Sequence, residues 1–178
     1  MTDQFGADPP SSFVVEWASR LASGLRAPRR ALDVAMGRGR HLSALALTGL
    51  RVFGVDKNLE AVRAGRNRAA ADGGHVHVWC ADLTVSGLPD CPFELVVVVR
   101  YLQRDLFAAI RDLAVPAGAV IYETFTTHQR ALGFGPTSAN HLLEPGELRE
   151  RFDGLEILFY EEVRTPEAVA RIVARRPG

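Results

Sequence analysis

The chain has 178 residues, 47% hydrophobic and 24% charged, with 21 basic and 21 acidic side chains and so no formal net charge. These values describe one domain with a sizeable core, and the charge balance argues against a nucleic-acid or anionic-membrane surface. Cys80 and Cys91 form neither a zinc pattern nor a disulfide framework and are expected to be reduced and partly buried; with no secretion signal and no apolar run longer than Leu95 to Val99, a cytoplasmic enzyme is expected.

Residues 1–10, polar with Gly and Pro, are expected to be disordered, and 11–178 to form the single domain. Ser11 and Ser12 are placed to cap a helix over Phe13 to Ala22 whose Phe13, Val14, Trp17 and Leu21 share one side. That side either packs in the core or forms a lid over a ligand. After a linker over Pro28 to Arg30, a buried strand covers Ala31 to Val34 and a helix follows from Arg40 to Leu47, stopped by Gly49. A second strand spans Arg51 to Val55. Asn58 caps a helix that runs to Ala71, and a third strand covers His75 to Trp79.

The fourth strand, Phe93 to Val99, is apolar on both faces, as a central parallel strand covered by helices must be. A helix over Arg104 to Ala114 leads through Pro116 and Gly118 to a fifth strand, Ala119 to Thr124. Then come a loop over Thr126 to Leu143, a short helix opened by Pro145 and ending at Phe152, and two strands, Leu155 to Val163 and Val169 to Arg175, close enough to be antiparallel. The basic residues from Arg171 to Arg176 are interrupted by Ile172, Val173 and Ala174 and read as the polar flanks of this last strand. The alternation specifies an α/β fold: a doubly wound, mostly parallel seven-stranded sheet with an antiparallel edge strand.

In such a sheet ligands bind beyond the carboxyl ends of the strands. Four strand ends carry polar residues: Asp33 to Gly39 after the first, Asp56 after the second, Asp82 after the third, Arg100 and Tyr101 after the fourth. Gly37 and Gly39 allow the backbone to approach a ligand closely, Asp56 is placed for the hydroxyls of a ribose, and Asp82 and the backbone N–H of Leu83 are placed for an adenine. A dinucleotide fingerprint requires a third glycine where this chain has Leu42, so the cofactor is expected to be an adenosine without a pyrophosphate.

These residues resemble the class I S-adenosylmethionine-dependent methyltransferases, and among them the short bacterial tellurite-resistance-type members. The resemblance runs from about Phe13 to Arg176. Asp33, Ala35, Gly37, Gly39 and Arg40 match the family's glycine loop, with Met36 at its usual cysteine position; Asp56, Ala81-Asp82-Leu83, Phe93-Glu94-Leu95-Val96 and Pro116-Ala117-Gly118 follow in order, and Glu144 to Leu148 is familiar from the subgroup. The departures are Met36, Glu94 and Ala117. The resemblance implies the Rossmann-like methyltransferase fold and S-adenosyl-L-methionine as cofactor. It implies that Asp33, Ala35, Met36, Gly37, Gly39, Arg40, Asp56, Lys57, Asp82, Leu83 and Arg100 line the cofactor, with Arg40, or else Arg38, on the methionine carboxylate. His41 either touches ligand or lies on the helix surface.

Methyl transfer from a sulfonium needs alignment and exclusion of water more than a nucleophilic side chain or a metal. Tyr101 and Glu123 are the expected acceptor-side contacts, followed by His128 and His141. Val99-Arg100-Tyr101-Leu102 stands where methyltransferases of nucleic-acid bases carry an Asn/Asp-Pro-Pro-Tyr segment, so a small-molecule acceptor is expected, with no nucleic-acid or membrane partner. Two alternatives compete: a cofactor-binding module without turnover, and a nicotinamide-dependent reductase. Against the reductase, Lys57 is the only lysine and no tyrosine lies four residues before it.

Overall fold

β4 (Phe93–Val99) is buried at every position and lies near the centre of a seven-stranded sheet of order β3-β2-β1-β4-β5-β7-β6. The computed structural model describes residues 8–178. β1 (Arg30–Val34), β2 (Arg51–Asp56), β3 (Val76–Cys80), β4 and β5 (Ala114–Phe125) are mutually parallel. β7 (Val169–Arg175) is antiparallel to both β5 and β6 (Glu156–Val163), so the antiparallel strand lies one place in from the edge.

Alternate side chains of β4 feed two cores. Leu95, Val97 and Val99 pack with α1 (Ser12–Ala22), α2 (Leu42–Leu47) and α3 (Leu59–Ala71) on one face. Val96 and Val98 pack with α5 (Phe107–Leu113) and α6 (Glu147–Arg151) on the other, where Phe107, Tyr122 and Phe152 stack together. This two-sided cover is what the unbroken apolar run demanded. Asn58 caps α3 as expected, accepting from the N–H groups of Glu60 and Ala61.

Several boundaries differ from expectation. β5 begins at Ala114, pairing with Phe93, and its register shifts before Leu95. Pro116 and Ala117, the latter at φ 63°, are absorbed in this irregular stretch, where a proline and a left-handed residue are tolerated. A short helix, α4 (Leu83–Ser86), follows β3 and is capped by Asp82. Thr126 to Leu143 holds two 3₁₀ turns, Thr127–Leu132 and Ala139–His141, pinned by the buried Gln129. Pro145 lies outside α6, whose N-cap is Gly146 at φ 83°.

Both cysteines are exposed, contrary to expectation. β3 is an edge strand, so Cys80 at its end meets solvent, its thiol donating to the carbonyl of Lys57 at 3.3 Å. Phe13 and Trp17 are core residues rather than lid residues, both ring-packed on Phe159 of β6 at 5.6 and 5.5 Å. The N-terminal expectation falls on residues 1–7, outside the described ones, and on Asp8 to Pro10, which are described. No helix among the described residues is long and apolar enough to cross a membrane.

Candidate cofactor site at the carboxyl edge of the sheet

The turn after β1 is fastened from two directions. The N–H of Met36 donates to the carbonyl of Val55 at 2.9 Å, and that of Gly37 to Asp56 Oδ2 at 2.8 Å. Asp56 Oδ1 accepts from the N–H of Asn58, so the carboxylate holds the glycine turn to the start of α3. A carboxylate has about four lone-pair sites, which leaves capacity for a ribose diol. A Cβ placed on Gly37 would meet nothing within 4 Å: the turn faces open space.

Leu42, in place of a third glycine, is accommodated by a glycine elsewhere. Gly54 of β2 lies under it: a Cβ there would meet Met36 Sδ and, at 3.1 Å, Leu42 Cδ2. A Cβ on Gly39 would come within 2.9 Å of the Cα of Gly65, so Gly39 lets α3 approach the turn. Met36, 5% exposed, is packing for the turn, with its sulfur over Gly54.

Ala35 and Arg100, the residues directly after β1 and β4, both have left-handed backbones, φ 52° and 54°. Such conformations cost on the order of 1–3 kcal/mol each and gather at functional sites. Asp33, 1% exposed, points to the α1–α3 face, and its Oδ2 has no hydrogen-bond partner among the described residues. His41 Nδ1 is the nearest cation-forming atom, at 3.7 Å, while its Nε2 accepts from the N–H of Ser11. His41 is thus buried beside the site rather than on a helix surface.

Two guanidiniums converge on Asp8. Arg40 and Arg100 both donate to Asp8 Oδ2, at 3.1 and 2.9 Å, and Arg100 also grips both oxygens of Glu167 at 2.8 Å. Burial lowers the Arg40 pKa from the ordinary arginine range and the Arg100 charge lowers it further, against the pull of Asp8, Glu123 and Asp33. Arg38 is exposed and makes no such contact.

Just after β3, Asp82 Oδ1 accepts from the N–H and hydroxyl of Thr84, which hold its carboxyl below the usual range; Lys57, exposed, contributes a smaller charge effect. Leu83 is buried at the first turn of α4. Tyr101 and Glu123 are not brought together. The Tyr101 hydroxyl bonds to Gln103, and burial, then Asp82, Asp105 and Asp56, raises its pKa, so it stays protonated well above neutral pH. Glu123, 6% exposed, is paired with Arg171 at 2.6 Å, and Arg171 also reaches Glu161. His128 is half-buried and His141 exposed.

The residues that sequence reasoning missed are Asp8, Glu167 and Arg171. Asp8 is one acid in a Gly/Pro-rich segment and carries no pattern. Arg171 faces Glu123 only because β7 pairs with β5 in that register.

A strained glycine turn, acids at three strand ends and this strand order define a Rossmann-like methyltransferase fold. Residues 31–118 match the sequence pattern of a methyltransferase domain family. Among solved structures it is similar to TehB from Haemophilus influenzae (TM-score 0.72, 17% identity, covering 91% of this chain and 61% of that one). It is also similar to a SAM-dependent methyltransferase from Methanosarcina mazei (TM-score 0.68, 18% identity, 89% and 97%). A third likeness is magnesium protoporphyrin IX methyltransferase (ChlM) from Synechocystis PCC 6803 with bound SAH (TM-score 0.66, 17% identity, 97% and 90%). The chain thus spans less than two thirds of the TehB chain. At these identities the likeness is one of fold. No curated protein matches the sequence significantly.

Proposed function

We propose that the chain transfers a methyl group from S-adenosylmethionine to a small-molecule acceptor by in-line displacement. The observation that carries this reading is the buried, unpartnered Asp33 carboxylate oxygen, which feels the charge of Arg40, together with the Arg40 and Arg100 guanidiniums that meet at Asp8. A buried acceptor without a donor is costly, and an ammonium group satisfies it. An acid for an ammonium next to arginines for a carboxylate is the complement of an α-amino-acid tail. Asp56 would take the ribose and Asp82 with the Leu83 N–H the adenine, and the open side of Gly37 leaves room between them.

When bound, the cofactor supplies an electrophilic methyl group on a sulfonium. An acceptor held there would bond to the methyl carbon as the carbon–sulfur bond breaks, its electron pair leaving with sulfur. The chain's contribution is alignment and exclusion of water, worth roughly 7–11 kcal/mol when complete. Tyr101 contributes a hydroxyl donor and Glu123 a carboxylate anchored by Arg171. Both orient an acceptor, and neither is free to act as a strong base. Zero net charge favours a small acceptor over a nucleic acid.

Calorimetric titration with S-adenosylhomocysteine tests the reading. Saturable binding is expected, weakened about tenfold by Asp33→Asn through loss of a charged hydrogen bond. A folded protein with no binding at millimolar ligand overturns it. Label transfer from radioactive S-adenosylmethionine to small-molecule and nucleic-acid panels then tests the acceptor class, with label expected only in the former.

A further inference from the structure

Asp8 sits on the pair of cations that the proposed function gives to the cofactor. One of its carboxylate oxygens accepts from Arg40 at 3.1 Å and from Arg100 at 2.9 Å. The three partners differ in burial: the Asp8 side chain is 64% exposed, that of Arg40 only 16%. The guanidiniums are therefore built into the site, while the acid is laid on them from outside. Their requirements differ too. Arg100 has a second anionic partner, both carboxylate oxygens of Glu167 at 2.8 Å. Arg40 makes no other ion pair among the described residues, so on losing Asp8 it needs another anion. The segment is also tethered beyond Asp8, where the Ser11 N–H donates to His41 Nε2 at 3.2 Å.

From this arrangement we infer that Asp8 is an internal rival of the cofactor: its carboxylate occupies the two-arginine seat of the methionine carboxylate and leaves when the cofactor enters. The inference rests on the reading above. An exposed carboxylate held by two partly solvated pairs is weakly bound, and a ligand carboxylate tied to an adenosine and an ammonium displaces it. The exchange swaps one anion for another on Arg40 and Arg100, so neither cation is left without a counter-charge. Its effect is to lower apparent cofactor affinity by the fraction of molecules in which Asp8 holds the seat.

The test is calorimetry on wild type and Asp8→Asn with two ligands, S-adenosylhomocysteine and 5′-methylthioadenosine, which lacks the amino-acid tail. Asp8→Asn is expected to tighten S-adenosylhomocysteine binding by roughly three- to tenfold and to leave 5′-methylthioadenosine unchanged. If both nucleosides bind wild type but Asp8→Asn leaves S-adenosylhomocysteine binding unchanged or weakens it, Asp8 is no rival and the inference is overturned, while the cofactor reading stands. Equal tightening of both ligands replaces a charge rival with a steric cover and overturns the inference. If neither ligand binds either protein, the cofactor reading fails and takes the inference with it.

Discussion

Asp56 does two jobs with one carboxylate. It accepts the N–H of Gly37 and that of Asn58, so the turn is held in place by the residue proposed to take the ribose. Removing it should cost stability as well as affinity. Asp56→Ala is expected to destabilise the fold by about 1–2 kcal/mol, seen as a lower denaturant midpoint, and to weaken S-adenosylhomocysteine binding in the same protein. Asp33 differs: with an unpartnered oxygen, it adds little to the fold, and Asp33→Asn should lower affinity with an unchanged or raised melting temperature. Glu94, a departure from the family pattern, has a purely structural account. Its side chain, 3% exposed, accepts from the Arg30 backbone N–H at 2.6 Å and reaches the Arg30 guanidinium, at the end of the sheet opposite the site.

Among the elements, the contact between β2 and α2 decides how the glycine turn is supported. Leu42 stands where a dinucleotide fold has its third glycine, and the space it needs is provided by Gly54 across the strand. A methyl group there collides with Met36 and Leu42, both of which support the turn. Gly54→Ala is therefore expected to destabilise by roughly 1–3 kcal/mol through overpacking and to loosen cofactor binding, read by thermal melting and calorimetry. Met36 belongs to the same contact, which is why its replacement of the usual cysteine is compatible with an intact turn.

At the scale of the molecule, Arg104 and Glu147 join the segment after β4 to α6 across the second core. Arg104 pairs with Glu147 at 2.7 Å and also donates to the carbonyls of Ala139 and Leu142, so one ion pair holds the cover over the carboxyl edge. The hydrogen bond from Arg104 is the main cause that holds the Glu147 carboxyl below its ordinary value of 4.5. A carboxyl depressed by folding stabilises the native state above its unfolded pKa, and that contribution is lost as pH falls through the folded value. Glu147→Gln is accordingly expected to destabilise by about 1–2 kcal/mol at neutral pH. Denaturant titrations should show the gap to wild type closing below about pH 4.5. A gap that persists at low pH would show the pair to be unimportant.

The order of elements, the central β4 and the strand-end acids were all legible in the chain, because each is a local pattern: period-2 or unbroken apolar runs, a capping asparagine, glycines at a strand end. That information, with the motif order, was enough for the fold and the kind of cofactor, and it is the basis on which the residues from Asp33 to Arg100 are proposed to line the cofactor. What the residues could not disclose is pairing between distant segments. The opposition of Arg171 and Glu123, the separation of Tyr101 from Glu123, the room that Gly54 makes for Leu42, and the placement of Asp8 on Arg40 and Arg100 all depend on strand register and on where the chain returns. Local sequence determines which elements form, through short-range sterics and apolar periodicity; only the tertiary structure decides which charges meet, since partners as much as 92 positions apart are joined by packing alone.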